Sequence, residues 1–237
     1  MNNKQREGVL VTPQKRLTEE QIQLIDSSSR ELLENPGLYC YNKKAADIFE
    51  KAGAKRENLE DCARISIPSS LVDKALDTVP SKITLGARNP DNKLIIDATE
   101  PRVRFVSGSE TNITLTVEYK DGKPEFIENE GSIELLKDAA HLAENLNNLD
   151  SFIRCVNIRD KEITVENKDV NKFGASINNI TKNVMAGLDD INALDNVVKI
   201  GQTAAGGEKA FEENPLLSFI TCIVKSPFQI VDDTTEK

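Results

Sequence analysis

The spacing of apolar positions changes character twice along this chain, near residue 81 and again near residue 131. Up to Ser81, apolar residues recur every three or four positions, as they do on one face of a helix. Ile22, Ile25 and Leu32 fall on one such stripe together with Ser29. The segment Leu17-Thr18-Glu19-Glu20-Gln21-Ile22 predicts where that helix begins. Thr18 is the N-cap, Gln21 completes a capping box, and Leu17 and Ile22 have the spacing of a hydrophobic staple. Asn35-Pro36-Gly37 predicts its end. A second helix is expected from Lys43 to Lys51, stopped by Gly53, and a third after Pro68 with Leu71, Val72, Ala75 and Leu76 as its stripe. Residues 1–16 are polar and read as an N-terminal arm.

From Ser81 to Ile127 the period becomes two. Ile83-Thr84-Leu85, Leu94-Ile95-Ile96, Val103 to Val106, Ile113 to Val117 and Phe126-Ile127 predict short strands, separated by Asn89-Pro90-Asp91-Asn92, Ser107-Gly108 and Asp121-Gly122. The expectation is an antiparallel meander, which with the preceding helices makes an α+β extension over residues 17–130.

After Gly131 helix and strand patterns alternate. Ser132 caps a predicted helix carrying Ile133, Leu136, Ala140, Ala143 and Leu146. Predicted strands follow at Phe152 to Val156, Val184 to Leu188 and Leu216 to Val224. Between them lie helix faces marked by Val170, Phe173, Ile177 and Ile180, then by Leu194, Val197, Val198, Gly201 and Ala205. That order implies parallel strands with right-handed crossovers. Nothing in the pattern closes the sheet, so a barrel and an open doubly wound fold fit it equally. The last strand is apolar on both faces, and the chain reaches Lys237 about where a covering helix should run. Residues 131–237 are therefore expected to be the first part of a larger α/β domain.

Composition narrows the chemistry. Thirty basic against 39 acidic residues leave a net charge of −9, no footprint for nucleic acid or an anionic membrane surface. Cys40, Cys62, Cys155 and Cys222 are scattered without a CxxC pair, and His141 is the single histidine, so reduced thiols are expected and a metal site is not. The N-terminus lacks an apolar signal core and no apolar run approaches spanning length, which predicts a cytoplasmic protein. Gly206-Gly207 fits a helix C-cap, and no glycine-rich phosphate loop opens any helix.

In parallel α/β architectures ligands bind beyond the carboxyl ends of the strands. Three segments fall there: Asn157-Ile158-Arg159-Asp160, Leu188-Asp189-Asp190 and Lys225-Ser226-Pro227. Arg159 could clamp a carboxylate, and Asp160 or Asp189 could bind a cation or serve as a general base. Each, taken singly, reads more readily as a solvated loop position. Ser107-Gly108-Ser109-Glu110 adds small residues and a carboxylate after a strand of the meander, where a tight turn is the plainer reading. An aromatic cage for a quaternary ammonium has little to draw on, with no Trp and with Tyr39, Tyr41 and Tyr119 not obviously convergent.

Taken together the chain resembles the N-terminal half of the trimethylamine methyltransferase family, the corrinoid-dependent methyltransferases. The resemblance rests on Leu17 to Gln21, on Ile65 through Ser81, on Leu85-Gly86-Ala87-Arg88-Asn89-Pro90, on Val103 to Gly108 and on Pro215 to Pro227. It implies a (β/α)8 TIM-type barrel preceded by an α+β extension, with a cavity at the strand carboxyl ends. It also implies methyl transfer from trimethylamine or a quaternary amine such as a betaine to the Co(I) of a separate corrinoid protein. No tightly bound cofactor of its own is expected, and the full-length protein should be a homo-oligomer. Members that use trimethylamine carry pyrrolysine, at a position expected beyond this chain. By position, Ser107, Gly108, Glu110, Asn157, Arg159, Asp160, Asp189 and Ser226 are expected to line the cavity. The alternatives are a non-catalytic amine-binding or assembly module, and an unrelated barrel lyase or hydrolase, since fold does not fix function.

Overall fold

The computed structural model describes residues 7–108 and 110–231. They form two compact units, one of residues 7–11 and 82–220, the other of residues 12–81 and 221–231. In chain order the elements are β1 (Val9–Leu10), α1 (Glu19–Glu34), β2 (Leu38–Cys40), α2 (Lys43–Ala52), β3 (Lys55–Asn58), β4 (Ala63–Ser66), α3 (Ser69–Asp77), β5 (Lys82–Leu85), β6 (Leu94–Asp97) and β7 (Arg102–Val103). There follow β8 (Ile113–Lys120), β9 (Lys123–Glu130), α4 (Ile133–Asn145), β10 (Phe152–Ile153), α5 (Val165–Asn179), β11 (Val184–Ala186), α6 (Leu194–Ala205), α7 (Glu208–Glu213), β12 (Leu217–Phe219) and β13 (Gln229–Ile230).

In the smaller unit α1 starts where its sequence says it should. The Gln21 amide donates to Thr18 Oγ1 at 3.3 Å and the Thr18 amide donates to Gln21 Oε1 at 2.9 Å, a reciprocal capping box. Gly53 ends α2 in a left-handed conformation, as its position predicts. Gly37, at φ +79°, lets the chain turn from α1 into β2 against the Ile65 carbonyl, which a Cβ would meet at 2.4 Å. Strands β2, β3 and β4 have no counterpart in the sequence reading. They assemble with β13 in the order β13-β2-β4-β3, where β13 runs parallel to β2 and the other pairs are antiparallel. Leu38, Cys40, Ala45, Ala46, Ala63, Ile65 and Ile230 form the core of this unit.

The larger unit contains the expected alternation. Strands β10, β11 and β12 lie parallel in that order, with Phe152 opposite Val184 and Val184 opposite Leu217. Leu136, Phe152, Phe173, Ile177, Val184, Val197 and Leu217 pack together as its core. At the amino ends of these strands, polar side chains hold the backbone. Lys182 Nζ donates to the carbonyls of Ala143 and Leu146 at the end of α4, and Asn183 Nδ2 donates to the carbonyls of Gly86 and Pro215.

Three expectations are corrected. The segments between 81 and 130 form separate pairs, β5 with β6, β8 with β9 and β7 with β1, in place of one meander. Val9–Leu10, in the arm assigned to residues 1–16, therefore belongs to a sheet. The last parallel strand stops at Phe219, well short of Val224. Its neighbour β11 ends at Ala186, beyond which the backbone turns away toward Asp169, so nothing continues the ladder. Lys225 and Gln229 instead exchange backbone hydrogen bonds, and Ile230 is buried in the core of the smaller unit.

Replacing Thr18 with Ala should cost about 1 kcal/mol, because the Gln21 amide loses its acceptor. Urea unfolding measures this, and a variant as stable as the parent would show that the cap contributes nothing.

Candidate functional site

The carboxyl ends of β10 and β11 carry a cluster of charges from four segments. Arg154 follows β10 directly and is only 7% exposed. In a period-two strand it falls on the face of Phe152 and Val156, both buried, so the core encloses its stem. Its guanidinium pairs with Glu110 through Nη2 and donates from Nη1 to the Val156 carbonyl at 3.3 Å. Its Nε is buried and has no hydrogen-bond partner among the described residues.

Glu110 is brought there by a strand-like segment. Val106 bridges Ser151 and Thr111 bridges Val156, both in parallel sense, on either side of Glu110 in sequence. Ser107 Oγ joins that contact by donating to the Ile153 carbonyl at 2.7 Å and accepting from the Ile153 amide at 2.8 Å. Ser109 lies outside the described residues.

Beside the end of β11, Lys172 and Asp169 project from α5, 1% and 0% exposed. Lys172 Nζ lies 2.5 Å from Asp169 Oδ1, 2.8 Å from Asp189 Oδ2 and 2.6 Å from the Gly187 carbonyl. Asp169 in turn accepts from the backbone amides of Asp189 and Asp190. Every member of this buried network therefore has partners, the condition under which buried charge is tolerated. The network fixes the loop after β11 and leaves the Asp189 carboxylate 36% exposed. Burial would raise the Asp189 carboxyl, but the Lys172 hydrogen bond and charge, with Lys168 and Arg154 further off, outweigh it and hold the group below the ordinary aspartate range. The Cys155 thiol moves the other way, because burial raises it above the ordinary thiol range.

The arrangement thus presents two partly exposed carboxylates, Glu110 and Asp189, around a buried guanidinium. Such a surface suits a cation, with the buried guanidinium holding the Glu110 carboxylate in place. Among the described residues no group of three or more His, Cys, Asp and Glu is placed to hold a metal ion.

The remaining predicted residues have other places. Asp160 Oδ2 accepts from the Ile133 amide at 2.8 Å, at the start of α4. Asn157 Nδ2 donates to Asn112 Oδ1 at 2.8 Å. The Asn157 backbone packs on Gly131, where a Cβ would stand 2.1 Å from the Asn157 carbonyl oxygen. Arg159 is exposed beside Asn112, Glu128 and Glu130, and its amide donates to the Gly131 carbonyl. Gly108 is exposed with open space around it. Ser226 belongs to the smaller unit, in the turn before β13. A cavity of about 790 Å³ lies elsewhere, near the amino end of β10, lined by Glu7, Val9, Phe105, Leu146 and Asp150 among others. It opens away from the strand carboxyl ends, where parallel α/β architectures bind their ligands, so the strand ends remain the better candidate.

Arg154, Asp169 and Lys172 were not singled out by the sequence reading, though a signal existed. Arg154 interrupts the apolar face of its strand, and Asp169, Lys172 and Ser176 share the helix stripe of Phe173 and Ile177.

A parallel strand-and-helix unit with charges gathered at the strand carboxyl ends is the usual frame of an α/β enzyme. The chain belongs to the trimethylamine methyltransferase (MTTB) family, whose model matches residues 5–236. Over 222 residues it is 28% identical to the trimethylamine methyltransferase MttB of Desulfitobacterium hafniense, covering 92% of this chain and 42% of that protein. Over 216 residues it is 24% identical to a glycine betaine methyltransferase of the same species, covering 89% and 41%. The trimethylamine methyltransferase MttB of Methanosarcina thermophila is 27% identical over 143 residues. The chain thus spans about two-fifths of the length of the first two relatives. No helix among the described residues is long and apolar enough to cross a membrane.

Lys172→Met should destabilise the larger unit by about 3 kcal/mol, toward the lower end of the cost of stranding a buried charge, because backbone amides still serve Asp169. Urea unfolding reads this, and an unchanged midpoint would mean that the network contributes nothing. Asp189 adds a pH dependence. Its folded carboxyl binds protons less readily than its unfolded one, so its stabilisation is complete above the ordinary aspartate range and is lost as pH falls through and below it. Asp189→Asn should flatten the acid limb of stability against pH. An acid limb identical to the parent's would contradict the pairing.

Proposed function

We propose that this chain contributes to methyl transfer from a methylated amine to the Co(I) of a separate corrinoid protein, and that β10, β11 and β12 open a (β/α)8 barrel. The observation that carries the reading is the family match, together with the two half-open carboxylates at the strand ends. A Co(I) corrinoid carried by its own protein would supply a strong nucleophile for an N-methyl carbon. The protein's task is to hold the ammonium and keep the reacting groups aligned. Glu110 and Asp189 offer negative charge to the ammonium, and it is needed most in the ground state, because the carbon–nitrogen bond breaks with its electron pair left on nitrogen. Arg154 keeps Glu110 in place, and Lys172 does the same for Asp189. His141, the single histidine, is exposed in the last turns of α4, so this chain brings no imidazole to the strand ends.

The test is methyl transfer to a Co(I) corrinoid protein by the complete protein, with trimethylamine and glycine betaine as donors. Glu110→Gln should raise KM for both donors about tenfold, the loss of roughly 1.4 kcal/mol of attraction to the ammonium. A KM unchanged for both would remove Glu110 from the site, and no transfer from any methylated amine would favour a non-catalytic amine-binding module.

A further inference from the structure

The chain at β10 uses its two edges differently. The amides of Phe152 and Arg154 donate to the Asn183 and Met185 carbonyls at 2.9 Å, so both face β11. Backbone direction alternates along a strand, and the amide and carbonyl of Ile153 therefore point to the opposite edge. On that edge Thr111, just after Glu110, pairs through its backbone. Its amide donates to the Cys155 carbonyl and its carbonyl accepts from the Asn157 amide, both at 2.9 Å. Before Glu110, Asp150 Oδ2 accepts from the Phe105 amide at 2.9 Å, and the Phe105 carbonyl accepts from the Asp150 amide at 2.7 Å. Between these attachments both backbone groups of Ile153 go to one side chain. Ser107 Oγ donates to the Ile153 carbonyl at 2.7 Å and accepts from the Ile153 amide at 2.8 Å. A hydroxyl is donor and acceptor at once, so one serine does here what two backbone groups do in a ladder. Gly108 would meet nothing within 4 Å even with a Cβ added. Among the described residues, Ser107 is the last hold on the chain before Glu110.

We propose that Ser107 is a positioning residue for Glu110, its hydroxyl fixing the chain to the edge of β10 so that the Glu110 carboxylate meets Arg154 and stays turned to the ammonium of the substrate. The inference rests on the reading of Glu110 as the carboxylate that binds the ammonium. Ser107 acts without touching substrate, because its hydroxyl is committed to Ile153, in place of the cavity-lining role expected from its position. Arg154 is anchored independently, by the core around its stem and by the Val156 carbonyl. The precision of the ion pair therefore depends on the attachments that flank Glu110. The one at Thr111 is made by backbone and survives ordinary side-chain changes, which leaves Ser107 as the attachment that sequence controls.

Calorimetric titration of the complete protein with trimethylamine and with glycine betaine, together with hydrogen exchange at Ile153, tests this. Ser107→Ala should weaken both ligands about fivefold and quicken exchange of the Ile153 amide about tenfold, whereas Ser107→Thr, which keeps the hydroxyl, should stay within about twofold of the parent in both. In a Glu110→Gln background, itself about tenfold weaker, Ser107→Ala should add nothing, because the group it positions no longer binds. Parental binding in Glu110→Gln, or a parent that binds neither ligand, would remove the reading of Glu110 and this proposal together. Weakened binding in Glu110→Gln with parental binding in Ser107→Ala would overturn the proposal alone. So would a Ser107→Ala loss that multiplies with that of Glu110→Gln, or one that Ser107→Thr shares in full.

Discussion

Lys172 is buried with its ammonium shared among Asp169, Asp189 and the Gly187 carbonyl, and the form of the strand ends depends on that contact. A buried ammonium without partners would be prohibitively costly, and beside Asp169 of α5 the loop after β11 brings Gly187 and Asp189 to it. That loop ends β11 at Ala186, and with it the ladder that β12 could follow past Phe219. The same contact leaves the Asp189 carboxylate half-open at the surface. The loop path and the electrostatics of the strand ends thus meet in one buried charge network.

A second charge acts the same way across the sheet. Arg154, enclosed by the core beneath β10, reaches Glu110 on a segment distant in sequence and holds it beside the strand end. The carboxyl ends therefore gather charge, while the amino ends use Lys182 and Asn183 to satisfy helix and loop carbonyls. Such polarity between functional and stabilising ends follows from loops of variable chemistry at one pole of a parallel sheet.

Much of the fold was legible in the sequence where local rules govern. The capping box at Thr18, the stop at Gly53, the Ser132 cap and the alternation of helix and strand after Gly131 all correspond to observed elements. Where distant partners decide, local pattern failed. Leu38–Cys40 and Ala63–Ser66 are strands because they pair with each other, and Ile230 is buried because β2 accepts β13. The candidate site was legible only in outline. Glu110 and Asp189 were found from their position after strands, but Arg154 and Lys172 lay inside predicted elements, where the pattern makes side chains packing material. Asp160 was found by the same positional rule and serves the start of α4, because a carboxylate near free helix amides has an immediate use.

The central claim is that the strand carboxyl ends, with Glu110 and Asp189 around Arg154, receive the methylated amine. A crystal structure of the complete protein with glycine betaine bound tests it most directly. The account predicts the trimethylammonium group against the Glu110 and Asp189 carboxylates, beyond the ends of β10 and β11. Density for the ligand elsewhere, as in the cavity between Phe105 and Asp150 at the amino end of β10, would contradict it.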